Sequence, residues 1–301
     1  MAVPAVGFIG FGEAGFHIAK GLRGAGVERI AAYDIHAHTP WRGDLIRQRA
    51  AESGVVLAAS SRELGASCTT LLSVVTASSA LEAAGQTAPY LEGRHIYADL
   101  NSVSPATKQS IDTVIRATGA RFVEGAIMSP VPPHGHRVPV LLGGEGAHEF
   151  AETMTPLGMR PEVLGPDVGR AAAVKMFRSI VVKGLEALLF ECVLGASRYG
   201  AEKRVFDSLG ETFPGIDWDK LANYMVGRVV VHGERRAREM EEVAATLREL
   251  GIEPLMAEAA ARRQDWSAQL GLREKFASEG PAGYAEALRA IEEINSRGAG
   301  A

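Results

Sequence analysis

Cysteine is nearly absent from this chain. Only Cys68 and Cys192 occur in 301 residues, and neither stands at CxxC or Cys/His spacing. That argues against a disulfide framework and against a zinc site, so no metal is expected, and a reducing cytoplasm is the expected setting. A large net charge is lacking too. The 32 Lys+Arg against 36 Asp+Glu leave a formal charge of −4, which gives no support to a nucleic-acid partner. No apolar run is long enough to cross a bilayer, so no membrane partner is expected. No basic segment with a cleavage site precedes the first apolar run, and no leader is expected. Internal repeats and low-complexity blocks are missing as well. What remains is an ordinary globular composition, 47% hydrophobic, in a length that suits two domains or one large one.

The most informative segment is Val6-Gly7-Phe8-Ile9-Gly10-Phe11-Gly12-Glu13-Ala14-Gly15, followed by a second apolar run, Arg29–Tyr33, that ends in Asp34. Three glycines after a strand, opening a helix and followed by an acid at the end of the next strand, form a dinucleotide-binding pattern. Gly10 permits the tight turn, Gly12 lets backbone approach a pyrophosphate, and Gly15 lets helix pack on strand. A helix over 14–24 then directs its unpaired N–H groups and positive dipole end at the phosphates, with Phe11, Glu13 and Ala14 in the cradle. Asp34 can accept hydrogen bonds from the adenosine ribose hydroxyls and repels a 2′-phosphate. The expected cofactor is therefore NAD or NADP, with NAD favoured by Asp34. In the segment after it, Arg42 or a protonated His36 could neutralise a phosphate; a solvated loop is the other reading.

Short apolar runs alternate with helical stretches through the first half, the mark of βαβ units. Strands are expected at 5–9, 29–34, 55–58, 68–74, 95–99, 121–126 and 138–142, with a last one around 161–165. A long apolar helix follows over 168–197. A helix apolar on most faces is normally buried, as a domain spine or at a subunit interface. Beyond Gly200 only helices are expected, at 217–231, 234–250, 254–270 and 282–295, with Gly251 as a C-terminal stop. The tail, 296–301, has the small and polar composition of a disordered end. The expected fold class is α/β: an N-terminal Rossmann doubly wound parallel sheet over 1–167, a long central helix, and an all-α C-terminal substrate and dimerisation domain over 168–301.

Four segments resemble the β-hydroxyacid dehydrogenase family, which includes 3-hydroxyisobutyrate, tartronate semialdehyde and 6-phosphogluconate dehydrogenases. Gly7–Gly15 matches its GFIGLGxMG apart from Ala14. Asp99-Leu100-Asn101-Ser102-Val103-Ser104-Pro105 is similar to its DxSSxSP. Glu124-Gly125-Ala126-Ile127-Met128-Ser129-Pro130 stands in the place of its DAPVSGG. Gly169–Ser179 stands in the place of its GxGxxxKxxxN. The likeness spans about the first two hundred residues. The stretch His232–Glu242 resembles a less studied branch with a phosphogluconate-dehydrogenase-like C-terminal domain of unassigned function.

The resemblance implies an NAD(P)-dependent enzyme that moves hydride between nicotinamide and a β-hydroxy acid, or the matching semialdehyde or keto acid. It implies Lys175 as general acid/base, a small-molecule substrate that is an anionic hydroxy acid, and a homodimer. The chemistry asks for a lysine whose pKa lies below its free value of roughly 10.4, and the apolar helix around Lys175 supplies burial. A lysine that snorkels to solvent is the alternative. Asn101 and Ser102 follow a strand at its carboxyl edge, where they would contact nicotinamide ribose and substrate carboxylate. Ser73, Val74 and Val75 end another strand and would cover the ribose or ring face. Ser104-Pro105 reads as a helix start.

On the long helix, Ser179 takes the place of the family's asparagine, so another substrate or an intervening water is implied. Arg178 lies to one side of Lys175, and Lys183, one turn on, could reach an anion or be a structural charge. The family's glycine pair is replaced by Ser129-Pro130 and a proline-stiffened loop holding His134, His136 and Arg137, which would make the pocket more apolar and roomier. A plain surface loop is the other reading of those three. Arg228, His232, Arg235 and Arg236 could clamp a carboxylate or phosphate; equally they could form a face paired with Glu239, Glu241 and Glu242. Decarboxylation after oxidation stays open. A non-catalytic dinucleotide sensor or assembly protein, and an imine reductase-like enzyme, are the alternative functions.

Overall fold

Small and β-branched residues in the first half form short strands whose alternate side chains enter two separate cores. The computed structural model describes residues 4–276 and 279–298. It comprises two compact units, Met1–Lys175 and Met176–Ala301. In the first, the order is β1 (Val6–Ile9), α1 (Glu13–Gly24), β2 (Ile30–Tyr33), α2 (Arg42–Ser53), β3 (Val56–Leu57), α3 (Ser61–Ser67), β4 (Thr70–Ser73), α4 (Ala80–Thr87), β5 (Ile96–Asp99), α5 (Pro105–Arg116), β6 (Arg121–Ile127), β7 (Pro139–Gly143), α6 (Ala147–Met154) and β8 (Arg160–Val163). Among the described residues these strands form one eight-stranded sheet, β3-β2-β1-β4-β5-β6-β7-β8. Phe8 and Leu72 face a core with Ile18, Ile46 and Phe150. Leu71 and Tyr97 face the other, with Leu64, Ala84 and Ile111. Helices therefore cover both faces, as a doubly wound sheet requires.

All eight expected strands are present, with one correction to the parallel sheet. β6 and β7 pair antiparallel, with Glu124 opposite Gly143, while β7 and β8 are again parallel. The link from Ile127 to Pro139 holds only a short 3₁₀ turn, Gly135–Arg137, and no crossover helix. A parallel return would need a longer connection, so the chain comes back beside itself.

That link is not the plain surface loop of one expectation. His134 and Arg137 are exposed, but His136 is buried. Its ring fills the place that a Cβ on Gly21 of α1 would take, and a Cβ on Gly158 would lie 2.9 Å from its Nε2. The helical Gly21 is therefore the recess that seats the loop.

The second unit contains most of α7 (Arg170–Ser197), then α8 (Glu202–Thr212), α9 (Trp218–Glu249), α10 (Leu255–Gln269), α11 (Leu272–Phe276) and α12 (Tyr284–Gly298). The units divide within α7, past the expected boundary at 167/168, because the first turn of α7 is bonded to β6. The helices expected at 217–231 and 234–250 are one continuous helix, α9. Gly233 does not break it. A Cβ there would lie 2.7 Å from the Gln264 carbonyl oxygen, so this glycine serves close packing of α10. Helices α8 and α11 had no expected counterpart. The expected tail at 296–301 begins inside α12, and its last three residues lie outside the described residues. The main core here joins Phe190, Val193, Phe206, Trp218, Val226 and Leu288. Among the described residues no helix is long and apolar enough to cross a membrane.

Burial, then the nearby Arg137, holds the His136 imidazole below its ordinary value, so the fold favours the neutral ring. The unfolded chain takes up that proton near pH 6.5, so this stability is present above that pH and is lost as pH falls. The melting temperature of wild type should therefore drop more steeply than that of His136→Gln between about pH 7 and pH 5. Parallel pH curves for the two proteins would contradict this role for His136.

Candidate active site

The first six strands run 3-2-1-4-5-6, and ligands of such sheets bind where strand order reverses, outside the carboxyl ends of β1 and β4. At the end of β1, Gly10 has φ +81, a left-handed conformation open to glycine. A Cβ on it would lie 2.9 Å from the Val74 carbonyl oxygen. Gly15 also packs closely, 3.2 Å from the Gly10 oxygen by the same measure. At Gly12 a Cβ would meet nothing within 4 Å, so open space lies over the turn. No side chain caps α1 there. Its first N–H groups therefore face outward, as an anion site requires, with exposed Glu13 and half-buried Ala14 in the first turn.

Asp34 stands at the end of β2. One carboxylate oxygen accepts from Phe11 N–H at 2.8 Å, and the other from His36 N–H at 2.8 Å. The acid thus ties the glycine turn to β2 while its charge stays at the rim. Arg42 lies 3.5 Å from the His36 ring.

Beside this turn is a cavity of about 330 Å³. Its walls include Ala14, Val74, Val75, Asn101, Ser102 and Ser129, with Leu100, Ile127, Pro130 and Val131 as apolar lining and Lys175 as the cation. Asn101 is buried. Its amide nitrogen donates to Ser73 Oγ at 2.9 Å and to Asp99 Oδ2 at 3.1 Å, while its Oδ1 has no partner. A buried amide oxygen left without a donor is costly and marks a place for a ligand N–H or O–H. With the uncapped helix and the space over Gly12, this fits a nicotinamide dinucleotide.

Two buried charges hold the segment in place, and neither was singled out from the sequence for this role. Lys108 of α5 donates to the Asp99 carbonyl oxygen (2.7 Å), to Asp99 Oδ1 (2.6 Å) and to Gly125 O (3.1 Å). All three ammonium protons are thus used. Asp99 Oδ1 also accepts from Asn101 N–H at 2.9 Å. Ser104 caps α5, accepting from Thr107 N–H at 3.1 Å, with Pro105 at the first helical position. Glu124 of β6, fully buried, accepts from Gly169 N–H (2.7 Å) and from Ala172 N–H (2.6 Å) at the start of α7. The only sequence signal for either was a charged residue within an apolar pattern.

Lys175 donates to the Ser102 hydroxyl at 2.5 Å. It is half-buried, not enclosed as the apolar helix had led us to expect, because Ser102 at the cavity mouth is itself exposed. The remaining site residues named from the sequence lie in the helical unit. Lys183 is buried and pairs with Glu239 at 2.6 Å. Arg236, also buried, pairs with Glu186 at 2.7 Å, and Arg228 approaches the same carboxylate at 3.4 Å. Burial, then the positive field of Arg235, Arg236, Arg228 and Arg273, lowers the His232 pKa. Arg235 pairs with Glu239 and Arg238 with Glu241. The arginines of α9 therefore meet carboxylates within their own unit. Arg178 is exposed and Ser179 half-buried on α7.

The fold and the cradle define a dinucleotide-binding protein of the dehydrogenase type. Residues 5–131 match the NAD binding domain of 6-phosphogluconate dehydrogenase, and residues 196–267 match a domain of unknown function, DUF1932. A conserved hypothetical protein from Sinorhizobium meliloti 1021 is 37% identical, with 97% of each chain covered and a TM-score of 0.82. The conserved protein MTH1747, of unknown function and structurally similar to 3-hydroxyacid dehydrogenases, is 33% identical. That match covers 90% of this chain and 98% of the other, with a TM-score of 0.75. The Mycobacterium tuberculosis 3-hydroxyisobutyrate dehydrogenase, solved with L-serine, shares the fold at 15% identity, with 97% and 99% covered and a TM-score of 0.72. This chain belongs to the family of 3-hydroxyacid dehydrogenase-like proteins that join a 6-phosphogluconate dehydrogenase-type NAD-binding domain to a DUF1932 domain.

Proposed function

We propose that the protein is a nicotinamide-dependent oxidoreductase acting on a hydroxy acid or the corresponding semialdehyde or keto acid, with Lys175 as general acid/base. The observation that carries this is the Lys175 amine on the Ser102 hydroxyl, 2.5 Å away, both lining the cavity that holds Asn101. A bound nicotinamide supplies or accepts the hydride. In the reductive direction the Lys175 ammonium gives a proton to the substrate oxygen, and in the oxidative direction its neutral amine takes the hydroxyl proton. Ser102, accepting from Lys175, limits where that amine points. Asn101 Oδ1 offers an acceptor to the cofactor or substrate, and Ser129 adds a hydroxyl to the wall that it lines with Pro130. With no N–H on Pro130, that wall offers few donors for a small carboxylate. A larger, partly apolar hydroxy acid suits it better.

Asp34 favours NAD, because its carboxylate would sit against a 2′-phosphate. Exposed Val181 and Leu188, seven residues apart on α7, support a homodimer in which this stripe is covered.

Screening hydroxy acids, aldehydes and imines by absorbance of reduced nicotinamide should find turnover among the hydroxy acids. Lys175→Ala should then lower kcat by about 10²–10⁴-fold while NADH binds as in wild type and more tightly than NADPH. Retained turnover would remove Lys175 from the reaction, and tighter NADPH binding would remove the argument from Asp34. Tight NADH binding with no turnover of any compound would favour a sensor. In sedimentation the chain should run as a dimer, lost in Val181→Glu/Leu188→Glu; a stable wild-type monomer would contradict the covered stripe.

A further inference from the structure

The N-cap residue of a helix normally answers the first N–H groups with its own side chain, but the residue before α7 is Gly169, which has none. Glu124 answers them instead, from a different element. Its two oxygens accept separately from Gly169 and Ala172, so the carboxylate spans the first turn and meets the positive end of the helix. The recess that receives it is built for it. A Cβ on Gly143 would lie 2.8 Å from Glu124 Oε2 and 2.9 Å from the Asp167 carbonyl oxygen. Gly169 turns into the helix with φ +104, which few L side chains adopt.

Lys175 follows Ala172 by three residues, about 4.5 Å along the axis. On the neighbouring strand Asp99 stands opposite Glu124 in register, and it holds the backbone that leads to Ser102. The two partners of the Lys175–Ser102 hydrogen bond are therefore each anchored by a buried carboxylate, on adjacent strands at one level of the sheet. We propose that Glu124 is a positioning residue for the reaction: by gripping the first turn of α7 it fixes the height and rotation of the Lys175 amine at the cavity. This rests on the reading of Lys175 as general acid/base. A mismatch of about 1 Å at a reacting group can cost about a hundredfold in rate.

The variant Glu124→Gln keeps the shape but turns an NH₂ toward one of the two N–H donors. Gly143→Ala crowds the same carboxylate from its other side and also presses on the Asp167 carbonyl oxygen, while the Glu124 carboxylate itself is retained. Each protein, full length and saturated with NADH, is treated with limiting acetic anhydride, and acetylation of each lysine is followed by peptide mass spectrometry. Exposed Lys203 and buried Lys108 are internal references, since partial unfolding would expose Lys108. In both variants the Lys175 rate should change at least threefold relative to Lys203, with Lys108 still protected. For any compound found to be turned over, kcat should fall about a hundredfold with KM within about twofold. A Lys175 rate matching wild type in both folded variants overturns the proposal. Because the acetylation needs no substrate, that failure is distinct from retained turnover in Lys175→Ala, which would overturn the role of the lysine itself.

Discussion

The hydrogen bond between Lys175 and Ser102 is the contact on which the first unit's architecture converges. Neither partner is placed by its own local structure. Ser102 sits in an exposed segment beyond β5, and Lys175 on the second turn of a long helix preceded by a glycine. What brings them within 2.5 Å is the β5–β6 strand pair, whose last residues in register, Asp99 and Glu124, are both buried acids. Glu124 accepts from two backbone N–H groups at the start of α7, and Asp99 accepts from the Asn101 N–H before Ser102 as well as from Lys108 and the Asn101 amide. The sheet thereby acts as a ruler between two elements that would otherwise be set only by side-chain packing.

Such an arrangement stabilises little by itself. Bringing the charges of Asp99 and Lys108 out of water costs several kcal/mol per ion, and their attraction offsets this only when every proton and lone pair is answered. Here Lys108 has three acceptors, one of them on β6, so the pair also ties β5 to β6. An apolar pair of equal volume would hold the sheet as well. It would not orient the turn that carries Asn101 and Ser102. The buried charges are best understood as fixing geometry, and they lie at the sheet's carboxyl edge, where a doubly wound fold binds its ligand. In the helical unit, Glu186 pairs with Arg236 and Glu239 with Lys183 across α7 and α9, but there Glu186 Oε1 and Arg236 Nε have no hydrogen-bond partner.

Much of this was legible in the sequence because it rests on local rules. Glycines after an apolar run, an acid at the next strand end, Ser-Pro at a helix start and alternating short apolar runs each report on a few adjacent residues. They yielded the strands and the cradle, whereas Lys175 was singled out through the family resemblance of the segment Gly169–Ser179. What escaped depends on contacts distant in sequence. Lys108 and Glu124 each read only as a charged residue interrupting an apolar pattern, on a helix face and in a strand; the fold is what buries and pairs them. His232-Gly233 looked like a helix break, yet Gly233 is where α10 packs against α9. The antiparallel β7 follows from the shortness of the link after β6, and the sequence pattern of a buried strand carries no direction.

In the proposed reaction the Lys175 amine stands within proton-transfer reach of the oxygen on the carbon that exchanges hydride. A crystal structure of the chain with NADH bound tests it most directly. The nicotinamide C4 edge should face the cavity, with Lys175 still on Ser102 and room for one substrate oxygen at about 2.6–3.2 Å from the amine. An amine turned into bulk water, away from C4, would contradict it.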